Sequence, residues 1–205
     1  MLYVFEHLGV AVAAITGVLA ARGKQVDLFG VIVLALVTAF GGGSLRDVLL
    51  GDVPVFWISD PNFLWNASAV ALTTFFVARV HEFRLKALQV ADAFALALFT
   101  MIGTRKALAA GVAPSIAVAM GVITGVVGGI VRDVLTGEIP LVFRREIYLY
   151  ATAALCGAVV FVLLNRWLEQ PQLNMMLAAA TTLVLRLAAI RWKLGLPVFR
   201  HRSEG

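Results

Sequence analysis

The segment Phe40–Pro54, FGGGSLRDVLLGDVP, returns 86 residues later as Val126–Pro140, VVGGIVRDVLTGEIP. The two segments share a Gly-Gly pair, Arg-Asp-Val-Leu, a later Gly and the final Pro, which makes eight identities in fifteen positions. The same spacing aligns Gly17 with Gly103 and Glu6 with Asp92. Self-similarity at a fixed spacing indicates a structural unit that occurs more than once in the chain.

The composition around this repeat is that of a membrane protein. The chain has 205 residues, of which 61% are hydrophobic and 14% are charged, whereas soluble domains carry about 25% charged residues. The net charge of +5 resides mostly in short loops and the C-terminal tail. Because no basic face or interleaved aromatic residues accompany it, we expect no nucleic-acid partner. The single cysteine, Cys156, excludes an internal disulfide.

Seven segments approach the roughly 20 apolar residues that a membrane-spanning helix needs. They are Val4–Ala21, Val26–Leu50, Phe63–Val80, Leu88–Leu108, Val112–Thr136, Ile147–Trp167 and Leu173–Ile190. The sequence therefore predicts an all-α integral membrane protein with a single transmembrane domain over residues 1–205. Its parts are repeat one over 3–80, repeat two over 88–167, and a seventh helix over 173–193.

Each repeat contains three spans, so the second copy must enter the membrane from the opposite face. This predicts two inverted repeats, related by a pseudo-two-fold axis in the membrane plane. In transporters of this design the site lies near the bilayer midplane, where discontinuous helices of the two halves meet. Spans two and five carry the matching glycines, and we predict that both are broken there.

The basic residues predict the orientation of the chain. One set of loops holds eleven Lys and Arg residues and the other holds three, and the richer set faces the cytoplasm under the positive-inside rule. The N-terminus is then outside and the C-terminus cytoplasmic. The richer set is Arg22, Lys24, Arg79, Arg84, Lys86, Arg144, Arg145, Arg191, Lys193, Arg200 and Arg202; the other is Arg105, Lys106 and Arg166.

The glycines are the first candidate site residues: Gly41, Gly42 and Gly43 in span two, and Gly128 and Gly129 in span five. Glycine weakens a helix by about 1 kcal/mol relative to alanine, and unwound backbone in the membrane must be buried or face water. Close helix packing is the alternative. Gly121, Gly125 and Gly129 form a small-xxx-small stripe, mirrored by Ala35, Ala39 and Gly43.

The duplicated charges, Arg46-Asp47 and Arg132-Asp133, lie inside spans two and five. A charge at the bilayer centre costs at least about 2.5–3.5 kcal/mol, so it normally faces a partner or water. Because adjacent helix positions point about 100° apart, we expect each Arg to pair with the Asp of the other repeat. The alternative is that both pairs extend to the headgroups and only anchor the helices.

Further candidates are hydroxyls and carboxylates near the glycines. Thr16, Thr38, Ser44, Thr104 and Thr124 are pore-lining candidates, although bonding to their own helix is the commoner use of such hydroxyls. Glu6 and Asp92 stand near the predicted starts of spans one and four, where carboxylates cap helices; a cation vestibule is the alternative. No nucleophile–base pair stands out, and we expect no enzyme, no cofactor and no metal site.

With its repeated Gly-Gly and Arg-Asp-Val motifs, the chain resembles the TRIC family of trimeric intracellular cation channels in its short prokaryotic form. Animal members carry a glycine-rich break followed by Lys-Glu-Val, and Arg46-Asp47-Val48 and Arg132-Asp133-Val134 stand at that place here. The resemblance implies a homotrimer in membrane lipid, with one pore per protomer that passes K⁺ and, less readily, Na⁺. Gating would bend spans two and five at their glycines.

Two other functions stay open. The same domain family is also labelled a glycine transporter, so a secondary carrier for glycine or another small zwitterion is the second hypothesis. A membrane scaffold without transport is the third. Under the channel hypothesis we expect Ser44 and the glycine carbonyls near the narrowest part of the pore, and the only metal contacts are transient ones with K⁺ or Na⁺.

Overall fold

The computed structural model describes residues 2–81, 85–144 and 149–194, and helices account for nearly all of them. Seven of the helices are long and apolar enough to cross a membrane, as predicted. In chain order the α-helices are α1 (Leu2–Ala21), α2 (Leu28–Leu50), α3 (Phe56–Ser59), α4 (Asn62–Val80), α5 (Leu85–Ala109), α6 (Pro114–Leu135), α7 (Tyr150–Trp167) and α8 (Pro171–Trp192). A 3₁₀ turn at Leu141–Phe143 follows α6.

The seven spans are thus α1, α2, α4, α5, α6, α7 and α8. The short helix α3, which the sequence did not predict, lies in the loop between the second and third spans. The predicted start of the sixth span, Ile147, lies outside the described residues. So do four arginines of the orientation count: Arg84, Arg145, Arg200 and Arg202.

The ends of the two repeated helices follow from local sequence. The carboxylate of Asp27 caps α2 by accepting a hydrogen bond from the Gly30 amide at 2.8 Å, and Pro114 occupies the first turn of α6. After both helices the chain continues through a glycine in the left-handed region, Gly51 with φ 71° after α2 and Gly137 with φ 70° after α6. Glycine adopts this conformation without a Cβ clash, which explains its return at the same place in each repeat.

The same helix contacts recur in each repeat. In repeat one, α1 packs against α2 and α4; in repeat two, α5 packs against α6 and α7. The repeats join through α1 against α5 and α2 against α6, while α8 covers α5 and α7. The two glycine motifs meet where α2 packs against α6, and the candidate site is described from this contact.

The backbones of α2 and α6 touch at two reciprocal points. A Cβ added at Gly42 would overlap the carbonyl oxygen of Thr124, and a Cβ at Gly128 would overlap that of Thr38. Gly42 corresponds to Gly128 and Thr38 to Thr124 at the repeat spacing of 86. Since the contacts pair an earlier residue of one helix with a later residue of the other, the helices run in opposite senses here. Successive spans that alternate in direction give the same result, so the inverted relation of the repeats stays a prediction.

The predicted break at the glycines is not seen. The α-helical assignment runs without interruption through Gly41–Gly43 in α2 and through Gly128–Gly129 in α6. The physical reason is that a missing Cβ permits close approach as readily as it permits unwinding. Gly121 and Gly125 act in the same way toward α5, where an added Cβ would meet the Thr104 and Thr100 hydroxyls. These glycines therefore permit close helix packing, which was the alternative prediction for the glycine stripe.

A central cavity between the repeats

A narrow cavity lies where α1, α2, α5 and α6 converge, and we refer to it as the central cavity. Its volume is about 10 Å³, which suffices for about one water molecule. Its lining combines small residues with a few polar ones. The lining residues are Ala13, Thr16, Thr38, Ala39, Gly42, Gly43, Asp92, Ala95, Phe99, Thr124, Gly125, Gly128, Gly129 and Arg132.

Three threonines give the central cavity much of its polarity. Each hydroxyl donates to a carbonyl of its own helix: Thr16 to Ala13 at 2.7 Å, Thr38 to Leu34 at 2.6 Å, and Thr124 to Met120 at 2.6 Å. This is the intrahelical bonding weighed for these side chains. Because the hydroxyl hydrogen is engaged, each Oγ1 retains only lone pairs for a second partner.

The Arg-Asp motifs do not pair across the repeats, and the predicted cross-repeat pairing is wrong. Arg46 Nε donates to Asp47 Oδ1 at 2.7 Å, and Arg132 Nε donates to Asp133 Oδ1 at 2.8 Å. The angle between neighbouring helix positions did not prevent this, because the long arginine side chain can fold back toward the following residue. The anchoring alternative also fails, since Arg46 is 2% exposed and Arg132 is fully buried.

Both aspartates hold the chain that follows their helix. Asp47 Oδ2 accepts the Phe56 amide at 3.0 Å, and Asp133 Oδ2 accepts the Leu141 amide at 2.8 Å. Each carboxylate therefore joins an arginine, its own helix and the segment after the glycine turn. Because charge-assisted hydrogen bonds of this kind are strong in a buried setting, the duplicated motif clamps the chain where it leaves the span.

Repeat two adds a second carboxylate to its arginine. Arg132 Nη1 donates to Asp92 Oδ1 at 2.9 Å. The Tyr150 hydroxyl, Asp92 Oδ1 and Arg132 Nη2 converge above Gly129, at 3.2, 3.5 and 3.6 Å from where its Cβ would stand. The guanidinium of Arg186 lies 4.7 Å from the Tyr150 ring centroid. A buried polar cluster from α5, α6, α7 and α8 thus borders the central cavity.

A wider opening lies at the end of α6, and we refer to it as the vestibule. Its volume is about 410 Å³, and its charged lining comprises Arg22, Lys24, Asp133, Glu138 and Arg144. Lys24 and Arg144 both bind Glu138, at 2.7 and 3.0 Å. These two cations hold the pKa of Glu138 below its ordinary value. Asp133 faces the vestibule and Arg132 the central cavity, so this ion pair separates the two spaces.

Several predicted site residues do not line the central cavity. Gly41 and Ser44 instead line an apolar groove of about 350 Å³ on the outer side of α2, where Ser44 Oγ accepts the Trp57 indole N–H at 3.0 Å. These two residues share a helix face, whereas Gly42 points about 100° away from Gly41. Ser44 is therefore not at the narrowest part, contrary to expectation. Thr104 also lies elsewhere, donating to the Thr100 carbonyl and packing against Gly121.

Glu6 and Asp92, which correspond by sequence, differ in place. Neither carboxylate lies in the first turn of its helix, so the helix-capping interpretation is wrong for both. The helices begin earlier than predicted, which puts these residues in or beyond the second turn. Glu6 binds Lys106 at 2.9 Å in a partly exposed pair, and Asp92 is 4% exposed in the central cavity.

Sequence reasoning missed Tyr150, Thr100 and the role of Asp92 as a partner of Arg132. One signal was available: Asp92 is an acidic residue with apolar neighbours on both sides in a predicted span. Tyr150 has no such signal, because its counterpart at the repeat spacing is Leu64. Over the described residues, no group of three or more His, Cys, Asp or Glu side chains could hold a metal ion. What the site offers is a small polar space between two packed helices.

Comparisons with known proteins agree with this architecture. The model of the glycine transporter family matches residues 3–79 and 89–166. The chain is 46% identical over 200 residues to a UPF0126 membrane protein of Vibrio cholerae serotype O1, covering 97% of this chain and 83% of that one. It is also 46% identical over 207 residues to the UPF0126 inner membrane protein YadS of Escherichia coli strain K12, covering 100% and 99%.

Solved structures give the same relationship. The TRIC trimeric intracellular cation channel orthologue from Rhodobacter sphaeroides superposes with a TM-score of 0.89 at 39% identity, over 94% of this chain and 98% of that one. A prokaryotic TRIC channel determined in 0.5 M KCl superposes with a TM-score of 0.85 at 28% identity, over 95% and 98%.

Proposed function

The chain belongs to the TRIC cation channel family, whose domain also bears the name glycine transporter, and on this premise we propose that it is a passive channel for monovalent cations. K⁺ is the main ion and Na⁺ the lesser one. Each protomer of a homotrimer carries its own pathway, which passes between the two repeats. The chain acts as a channel and not as an enzyme.

The central cavity is the observation that carries this proposal. It lies at the α2–α6 crossing, its lining includes Thr38 and Thr124 at corresponding positions of the two repeats, and it adjoins a buried ion pair. Buried ionisable side chains within a membrane-spanning region are costly, and they are typically found along ion pathways. The vestibule, with its charged lining, supplies a wide approach to the same pair.

The described conformation corresponds to a closed pathway. A space of about 10 Å³ is too small for a continuous column of water. Opening requires α2 and α6 to separate where Gly42 meets Thr124 and Gly128 meets Thr38. We propose that bending at Gly41–Gly43 and Gly128–Gly129 provides this movement, because glycine resists a change of backbone angle less than other residues do.

The location follows from the same premise. The seven apolar helices are those of a multi-pass membrane protein, and the E. coli relative is named an inner membrane protein. We propose a prokaryotic plasma membrane, with the N-terminus outside and the vestibule on the cytoplasmic side. The cytoplasmic side is indicated by Arg22, Lys24 and Arg144, which belong to the richer set of basic loops.

Reconstitution into planar bilayers under a KCl gradient tests the proposal. We expect unitary currents whose reversal potential lies close to the K⁺ equilibrium potential, because the cations bordering the pathway are neutralised by carboxylates. A reversal potential near the Cl⁻ equilibrium value would overturn cation selectivity. A protein that is folded and trimeric yet carries no flux of any kind would favour the scaffold hypothesis.

One observation favours the glycine carrier as a second candidate. Asp92 Oδ2 and Arg132 Nη2 are both buried; among the described residues, Oδ2 accepts no hydrogen bond and Nη2 donates none. A carboxylate and a guanidinium placed together match the ammonium and carboxylate of a small zwitterion. The cavity would have to widen to admit one. Saturable uptake of radiolabelled glycine into vesicles without unitary currents would support the carrier, and currents far above carrier turnover would exclude it.

A further inference from the structure

Asp92 is the acidic member of the central cavity lining. The other polar lining residues are three threonines and Arg132. Asp92 is 4% exposed, and its neighbours from Val90 to Phe94 along α5 are apolar. A carboxylate in such a place needs compensation for the water that it loses. Its contacts therefore show which part of that compensation the protein supplies.

The two oxygens of Asp92 differ in their contacts. Oδ1 accepts from Arg132 Nη1 at 2.9 Å, whereas Oδ2 is buried and accepts no hydrogen bond from the described residues. A buried carboxylate oxygen without a donor is costly. The cost is relieved if a mobile species, such as water or a cation, supplies the missing contact from the central cavity.

The threonines present matching chemistry. The hydroxyl hydrogens of Thr16, Thr38 and Thr124 are all donated to helix carbonyls, so the three oxygens offer lone pairs as second contacts. Together with Asp92, the cavity lining contains four side chains with oxygens available as acceptors. Oxygen acceptors of this kind replace the hydration shell of a monovalent cation in selective channels.

The arginines do not cancel this preference. Arg132 is bound by two carboxylates, Asp92 and Asp133, through Nη1 and Nε. Arg186 lies over Tyr150 and is not part of the cavity lining. The charges of Asp92 and Asp133 balance those of Arg132 and Arg186. The buried cluster is therefore neutral and stays stable when no cation is bound. Within the pair, Asp92 Oδ2 accepts no hydrogen bond from the described residues, and Arg132 Nη2 likewise donates none to them.

The corresponding residue of repeat one has a different role. Glu6 binds Lys106 at 2.9 Å, and its side chain is 13% exposed. It is not among the residues that line the central cavity. Both repeats carry a carboxylate at this position, but of the two only Asp92 lines the central cavity.

We propose that the Asp92 carboxylate and the hydroxyl oxygens of Thr16, Thr38 and Thr124 form a mid-membrane binding site for the permeating monovalent cation. This site rests on the proposed function, since it determines where that pathway selects cations. In a space of this size the ion has shed most of its water, and protein oxygens take its place.

Asp92→Asn tests the site with almost no change in side-chain shape. We expect the cation-to-anion permeability ratio from the KCl reversal potential to fall about tenfold, or about 1.4 kcal/mol of lost cation binding. Glu169→Gln is the matched control, because it removes one carboxylate from an exposed position between α7 and α8. We expect the control to retain the wild-type ratio.

A double variant separates cation binding from a purely structural role. Asp92→Asn with Arg132→Gln removes one negative and one positive charge, so the buried cluster stays balanced. If Asp92 only neutralised Arg132, the double variant would regain the wild-type permeability ratio. If Asp92 binds the cation, the ratio stays low. A regained ratio overturns the proposed site.

A direct readout works even where a variant fails to fold. Tl⁺ substitutes for K⁺ and scatters anomalously, so wild-type crystals grown in Tl⁺ reveal where a monovalent cation binds. We expect an anomalous peak in contact with Asp92 and the threonine oxygens. Peaks confined to other positions overturn the site. An anion-selective or non-conducting wild type overturns the proposed function itself, whereas a cation-selective wild type with an unaffected Asp92→Asn variant overturns only the site.

Discussion

The two Arg-Asp motifs are identical in sequence, and they differ in what surrounds the arginine. Arg46 binds Asp47 through both Nε and Nη2, and its guanidinium lies 5.8 Å from the Phe56 ring centroid. Arg132 divides its contacts between Asp133 and Asp92. The shared part is the clamp, in which each aspartate accepts a backbone amide of the segment after its helix. The unshared part is the second carboxylate.

This difference distinguishes the contacts that hold the fold together from those that we connect with cation binding. A feature kept in both halves, such as the clamp, serves a need that both halves have: fixing the chain where a span ends. A feature present in one half, such as the Asp92 contact, serves something that happens once per protomer. In this protein the unshared feature borders the central cavity, which is where we propose that a cation binds.

Removing each arginine in turn is expected to give the largest effects. Arg132→Ala and Arg46→Ala each leave buried carboxylate without its cation, which typically costs about 3–5 kcal/mol. We expect Arg132→Ala to be the more damaging, because it leaves two carboxylates instead of one. Thermal unfolding in detergent, followed by tryptophan fluorescence, measures the difference. Equal losses of melting temperature would mean that the Asp92 contact adds nothing to stability.

The helix crossing should respond to substitution symmetrically, with a smaller effect. Gly42→Ala and Gly128→Ala each force a methyl group against a backbone carbonyl of the other helix, and overpacking of this kind costs about 1–3 kcal/mol. Gly41→Ala is the control, because its Cβ would lie 3.7 Å from Gly128 Cα, an ordinary contact. We expect nearly equal losses of melting temperature for the first two and little change for the third. Strongly unequal losses at positions 42 and 128 would contradict the reciprocal crossing.

The smallest expected effect concerns the vestibule. Lys24 and Arg144 lower the pKa of Glu138, so its stabilising contribution is complete above the ordinary glutamate pKa of about 4.3 and is lost as pH falls through the lowered value. Wild type should therefore lose more melting temperature below pH of about 4 than Glu138→Gln does. The expected difference in melting temperature is small because Lys24, Glu138 and Arg144 are partly exposed to solvent, which screens their interaction.

The repeat-one counterpart provides the control for this measurement. Asp52 occupies the position of Glu138 at the repeat spacing of 86 and forms no ion pair among the residues that the structure describes. Asp52→Asn should leave the acid sensitivity of the wild type unchanged. A larger change for Asp52→Asn than for Glu138→Gln would show that the acid response arises elsewhere.

The sequence predicted the spans well and the site contacts poorly. Runs of about 20 apolar residues must be helical in a bilayer, because unpaired backbone groups find no water there. The seven spans follow from this local rule. The contacts of Arg46 and Arg132 do not follow, because a long side chain has several staggered conformations and its partner is chosen by what packs nearby. The predicted cross-repeat pairing failed for this reason.

Some of the site was within reach of sequence reasoning. Thr38, Thr124 and the glycines at positions 42 and 128 were predicted because they stand at matching places in the two repeats, and Thr16 was predicted because it lies beside Gly17, whose counterpart is Gly103. Ser44 was misplaced since helix phase alone does not say which face meets the other repeat. Gly42 faces α6, and Gly41 and Ser44 face outward. That choice depends on the crossing of two helices 86 residues apart.

The sequence by itself determined that the protein lies in a membrane, how many spans it has and where its helices end, because each depends on neighbours along the chain. It also shows the repeated motif directly. Tertiary structure alone decided that the glycines serve as contact points in continuous helices, and that Asp92 joins Arg132 while Glu6 joins Lys106. These outcomes depend on distances between helices that no local pattern encodes. A backbone without Cβ atoms is suited to both bending and close packing, and only the neighbouring helix determines which of the two is realised in a given conformation.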